Sequence, residues 1–138
     1  MEEALRKYYL TEDGNCAEAT LRYLNDVYRL GLREEDYTLV SGFGGGCGCG
    51  ITCGALCGAM AALGRLTVEG RAHATEGFGE LCADYVDAFA TALGDTNCAA
   101  LKAEYFRDDG TRCLETVTLG AALFREFCQA NRIFPKED

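Results

Sequence analysis

The chain has no tryptophan, a single proline and a single histidine among its 138 residues. It also lacks a basic face. Only 13 Lys and Arg stand against 22 Asp and Glu, for a net charge of −9. A nucleic-acid binder needs a cationic stripe to neutralise phosphates, and here the cations are scattered among more numerous carboxylates. A nucleic-acid partner is therefore excluded, and acidity of this size mainly aids solubility. The first residues, MEEALRKYYLTEDG, lack the basic n-region and apolar h-region of a secretory signal, which points to the cytoplasm. A Cys–His dyad would have to use His73, which nothing supports. A satisfied or solvent-facing histidine between Ala72 and Ala74 is the simpler reading.

Several motifs are missing. Without C-x-x-C-H, no covalent haem is expected, and without paired C-x-x-C motifs there is no zinc ribbon. The glycines fit neither G-x-x-x-x-G-K-[ST] nor G-x-G-x-x-G, so no nucleotide is expected. Residues 37–64 carry no charge and are long enough to span a bilayer. Between Gly42 and Gly64, however, the large apolar residues are only Phe43, Ile51, Leu56, Met60 and Leu63, and glycines 44–46 break a helix. Membrane insertion is excluded on that hydropathy.

What the chain does have is cysteine, nine in all. In a reducing compartment nine thiols are unlike a disulfide framework and more like ligands or redox groups. The length fits one domain over residues 1–138. Periodicity is helical nearly throughout, and no alternating run of β-branched residues is long enough for a strand. Asn15 with Glu18 forms a variant capping box before the stripe Ala17, Leu21, Leu24, Tyr28, with Gly31 as the stop. A short helix is predicted from Glu34 to about Ser41, and one capped by Thr52 runs to Leu63 or Gly64. The stripe Phe78, Cys82, Val86, Phe89, Leu93 ends at Gly94. Asn97 caps a short helix through Tyr105, Asp108-Asp109-Gly110 turns, and Leu114, Val117, Ala121, Phe124 and Cys128 mark the last helix. The fold class is all-α, a compact bundle of five or six helices with a Gly/Cys-rich loop.

Three cysteines follow a capping residue directly: Cys16 after Asn15, Cys53 after Thr52 and Cys98 after Asn97. Cys113 lies near the last helix start if Thr111 is its cap. Free N–H groups and partial positive charge at a helix N-terminus favour thiolate, the form that attacks disulfides and binds metals. If helical register reaches back into the loop, Cys49, Cys53 and Cys57 form one row and Gly50, Gly54 and Gly58 the next. Such a glycine strip admits another helix or a bulky cofactor. The preceding glycines can turn their N–H groups inward as an anion nest, and Cys47-x-Cys49 offers a dithiol or two ligands. Cys82 and Cys128 lie on apolar stripes and read as core.

Asn15-Cys16, SGFGGG followed by Cys53-Gly54-Ala55-Leu56-Cys57-Gly58, Asn97-Cys98 and Cys113 together resemble the family of small redox-active proteins named for the pattern C_GCAxxG_C_C. The resemblance implies a helical fold and places the four hallmark cysteines on Cys16, Cys53, Cys98 and Cys113. The family's link to split-Soret cytochromes implies an iron–sulfur centre but, without the haem motif, no haem.

Three functions compete. The first is thiol redox chemistry, a thiol oxidoreductase role. Cys53 is the nucleophile, one of Cys16, Cys98 or Cys113 resolves it, and Cys47 and Cys49 form a second relay pair; low-pKa thiols and an unidentified redox partner are expected. The second is an iron–sulfur cluster or soft ion such as zinc or copper(I). Its metal ligands are drawn from Cys16, Cys47, Cys49, Cys53, Cys98 and Cys113, and Cys47, Cys49 and Cys57 are candidate cofactor-binding residues. The third is a structural helical protein, assembled as a homodimer through the Gly50, Gly54 and Gly58 face. The thiol reading ranks first.

Overall fold

The structure, a computed structural model, describes residues 1–137. It is all-α: six helices joined by tighter and wider helical turns, with no strand among the described residues. Helix α1 (Glu2–Arg6) widens into a π turn over Lys7–Thr11, and α2 spans Cys16–Tyr28. A 3₁₀ stretch, Glu34–Phe43, stands where a short α-helix is predicted. It leads through a glycine loop to α3 (Gly54–Thr67), followed by α4 (Phe78–Leu93), α5 (Cys98–Tyr105) and α6 (Leu114–Ala130). No described helix is long and apolar enough to cross a membrane.

The predicted capping box is present. The Asn15 side chain accepts from the Glu18 N–H at 3.0 Å, and Glu18 accepts from the Asn15 N–H at 2.9 Å. The box also reaches outward, since the Asn15 amide donates to the Ser41 carbonyl and the Ser41 hydroxyl donates to Glu18, both at 2.8 Å. The start of α2 is thereby tied to the chain entering the glycine loop. Helix α2 stops before Gly31 because Arg29 itself turns left-handed (φ 53°) as its C-cap.

The core forms where α2 lies on α3 and both meet α6. The predicted stripes of α2 and α6 are buried, with Val117, Ala121 and Phe124 fully so. On α4 the inward residue is Tyr85 rather than Val86. The Tyr85 ring meets Phe127 at 5.0 Å and Phe124 at 5.6 Å, and edge-to-face pairs of this kind add to plain burial. His73 is exposed in a short 3₁₀ turn, as expected for a solvent-facing histidine.

Helix α3 presents glycine where α2 crosses it. A Cβ at Gly58 would stand 2.6 Å from the Ala17 carbonyl oxygen, and one at Gly54 would collide with the Cys16 sulfur. The glycine face therefore receives a neighbouring helix of the same chain and is not free to build a homodimer. Gly58→Ala is expected to destabilise the protein by about 1–3 kcal/mol through overpacking. Gly64→Ala, on the same helix with only the tip of Phe78 at 3.9 Å, should instead stabilise by about 0.5–1 kcal/mol from helix propensity. Denaturant melts of the two variants check both signs.

Candidate functional site

The loop between the 3₁₀ stretch and α3 turns left-handed at four consecutive residues: Gly45 (φ 64°), Gly46 (φ 63°), Cys47 (φ 58°) and Gly48 (φ 74°). Glycine takes this conformation without a Cβ penalty, which accounts for the glycine run. Gly46 also needs the space, since a Cβ there would come within 2.6 Å of the Cys98 Cβ.

The chain then extends. Ile51 and Thr52 pair antiparallel with the residues before α5: the Cys53 N–H donates to Thr96 O (2.8 Å) and the Cys98 N–H to Ile51 O (2.5 Å). This one bridge sets Cys53 beside Cys98, and it corrects the predicted helix start. Thr52 is committed to the bridge, so Cys53 itself is the N-cap of α3. Likewise Cys113, not Thr111, is the N-cap of α6, because Thr111 is held in a turn by two hydrogen bonds to Asp109. Cys16 and Cys98 open α2 and α5 directly behind Asn15 and Asn97, as the sequence predicts.

Cys16, Cys53, Cys98 and Cys113 all line one cavity of about 200 Å³. Tyr9, carried in by the π turn, also lines it, and its hydroxyl accepts the Cys113 N–H at 3.2 Å. The Arg112 guanidinium lies 4.7 Å over the Tyr9 ring and donates to its carbonyl at 3.2 Å. Lys102 and Phe106 are also among the lining residues. Of these, Tyr9, Lys102 and Arg112 escaped the sequence reading. Lys102 was findable, one helical turn after Cys98 on the same face, and Arg112 directly precedes Cys113. Nothing local marks Tyr9, which reaches Cys113 from the other end of the chain.

The other candidates lie elsewhere. Cys47 and Cys49 are exposed on the left-handed loop, with the Cys49 thiol donating to Gly46 O at 3.6 Å. Cys57 is half-buried one turn into α3, outside the cavity lining, and the row Cys49–Cys53–Cys57 does not form because Ile51 and Thr52 are not helical. Cys128 is core, and Cys82 is half-buried on α4. All nine cysteines are free thiols. Among the described residues no three His, Cys, Asp or Glu side chains are arranged to hold a metal ion.

Electrostatics overturn one expectation. Burial pushes the Cys53 thiol up to about 12; the Leu56 and Ala55 N–H groups of the helix start oppose this and the neighbouring Cys16 and Cys98 reinforce it. Burial also raises Cys98 and Cys113. Cys113 is eased down by Tyr9, and both are eased down by Lys102. The helix N-terminus acts in the predicted direction, but desolvation is larger. Burial therefore works against the low-pKa nucleophile expected at Cys53.

The sequence profile of one family, described as "Putative redox-active protein (C_GCAxxG_C_C)", matches residues 14–127. The chain belongs to this family. The match contains all four cysteines that line the cavity. Neither the curated proteins nor the solved structures give a match.

The raised thiols carry a pH signature. Below the ordinary thiol value near 9, Cys53 and Cys128 are protonated whether the chain is folded or not. Above it the unfolded chain releases both protons, while the fold retains them up to about 12 for Cys53 and about 11 for Cys128, where burial is again the main cause. The unfolded state then binds fewer protons, so stability falls as pH rises from about 9 toward 12. Urea melts under reducing conditions at pH 8, 9, 10 and 11 should give a declining midpoint, with a smaller decline in Cys128→Ala.

Proposed function

We propose that this member of the family works as a thiol redox protein, cycling two of Cys16, Cys53, Cys98 and Cys113 between dithiol and disulfide. The observation that carries the reading is that four thiols from four separate segments line one small cavity. Core packing alone has no need for this convergence. Cys16 and Cys113 are half-buried and reach solvent, while Cys53 and Cys98 are nearly sealed. Cys113 is taken as the attacking thiol because it reaches solvent; burial raises it, and Tyr9 and Lys102 act the other way. Cys16 resolves the mixed disulfide, and Cys53 and Cys98 form the inner pair. At about 200 Å³ the cavity falls below the roughly 300–1,000 Å³ of sites that enclose organic ligands. A partner would place only its reactive sulfur inside, with any other group left at the mouth.

Four sulfurs on one cavity also suit a soft ion or an iron–sulfur cluster by donor chemistry. In the present arrangement no three stand in ligating geometry among the described residues, and Cys47 and Cys49 lie off the cavity, so no step is assigned through such a group.

The test is anaerobic purification with iron, zinc and acid-labile sulfide analysis, then a redox titration read by mass spectrometry. The expected outcome is metal-free protein that loses two hydrogens reversibly, with the disulfide mapped within Cys16, Cys53, Cys98 and Cys113. Cys113→Ser should slow oxidation at least about tenfold, because the attacking thiolate sets the rate of exchange. Stoichiometric iron and sulfide would replace this reading with a cluster, and a disulfide confined to Cys47, Cys49 or Cys82 would refute it.

A further inference from the structure

The proposed thiol site has a charge pattern unlike the rest of the molecule. The protein carries −9 overall, yet among the described residues the only Lys, Arg, Asp or Glu side chains lining the four-thiol cavity are Lys102 and Arg112. They approach from different elements. Lys102 stands one turn beyond Cys98 on α5, exposed and without an ion pair among the described residues. Arg112 immediately precedes Cys113.

Arg112 is also held in place. Its backbone is left-handed (φ 53°), a conformation costly for a residue with a side chain. The cross-bridge with Arg107 pins it, with mutual N–H donation at 3.1 and 3.2 Å. Its guanidinium is fixed against Tyr9 by the ring and carbonyl contacts, and Asp13, at 3.5 Å and largely exposed, is its one ion-pair partner among the described residues. Phe106, 42% exposed, lines the cavity with the two cations. Two cations among the residues that line a cavity with four sulfurs are complementary to an anionic group next to a sulfur–sulfur bond.

We propose that the oxidant accepted at this site is a small disulfide carrying carboxylates, oriented by Lys102 and Arg112, an assignment that rests on the thiol reading above. The step balances as ordinary exchange. A cavity thiol, as thiolate, attacks one sulfur of the disulfide and expels the other half as a thiolate, which takes up the proton the protein thiol released. A second cavity thiol then attacks the protein sulfur of the mixed disulfide and expels the remaining half as a thiol. Two protein thiols are oxidised to one disulfide and one external disulfide is reduced to two thiols. No further reactant enters.

The test uses the full chain, reduced and freed of reductant, in single-turnover oxidation by three disulfides. These are dithiodiglycolate (anionic), bis(2-hydroxyethyl) disulfide (neutral) and cystamine (cationic), each rate divided by that of 2-mercaptoethanol with the same disulfide. The net charge of the protein alone would favour cystamine. The proposal expects dithiodiglycolate to lead cystamine by about tenfold or more at low ionic strength, with the lead shrinking as salt screens it. Lys102→Gln should remove most of the lead, read as the ratio of dithiodiglycolate to bis(2-hydroxyethyl) disulfide rates within the same variant so that any change in Cys113 ionisation cancels, and Lys102→Glu should invert it; both alter an exposed side chain, and Arg112→Gln is a second variant. Equal normalised rates, or a lead for cystamine, would overturn the proposal and leave the thiol reading standing. Failure of all three to form a disulfide among Cys16, Cys53, Cys98 and Cys113 would overturn both.

Discussion

The contact on which the arrangement depends is the one between α2 and α3, and it is a contact of missing atoms. Gly54 and Gly58 leave room for the Cys16 sulfur and the Ala17 backbone, and no residue with a side chain could occupy either place without moving α2 outward. Because the first turn of α2 is also fastened to Ser41 through the Asn15–Glu18 box, the glycine loop, the start of α2 and the start of α3 are located by one another. Cys16 meets Cys53 there. The antiparallel bridge at Thr52 and Asn97 then adds Cys98, and the Tyr9 hydroxyl on the Cys113 N–H adds Cys113.

Two effects compete over the protonation of these sulfurs. Groups that favour a negative sulfur are the Leu56 and Ala55 N–H at Cys53, the Lys102 cation at Cys98, and the Tyr9 hydroxyl with Lys102 at Cys113. Enclosure by the core acts against it and is larger at Cys53, Cys98 and Cys113. Among these three, Cys53 is the most enclosed and the most strongly raised. A thiol that stays protonated is a poor attacker but, once joined to a partner sulfur, is screened from outside reductants by the same enclosure.

The fold class and the four cavity cysteines were legible in the sequence because they are written locally. A capping box needs four adjacent residues, an apolar stripe repeats every three or four, and Asn-Cys-Ala appears twice at helix starts. The errors arose where a distant segment decided the matter. Thr52 looks like a cap until Asn97 is known to pair with it. The register of Cys49, Cys53 and Cys57 fails for the same reason. Tyr85 displaces Val86 from the core because the rings of Phe124 and Phe127 wait on α6. The acidity of Cys53 could not be read from its place at a helix start, because that place reports the N–H groups and not the depth of burial.

The cavity draws its sulfurs from residues 16, 53, 98 and 113, and the last of these precedes only α6. Helix α6 also supplies Val117, Ala121 and Phe124, which are fully enclosed by the rest. During synthesis the first three thiols are therefore made well before the element that seals the core behind them. Until then the nascent chain carries the sulfurs but not the enclosure, so their shared environment arises only when α6 leaves the ribosome and docks. Docking of α6 and enclosure of the sulfurs are, for this fold, one event.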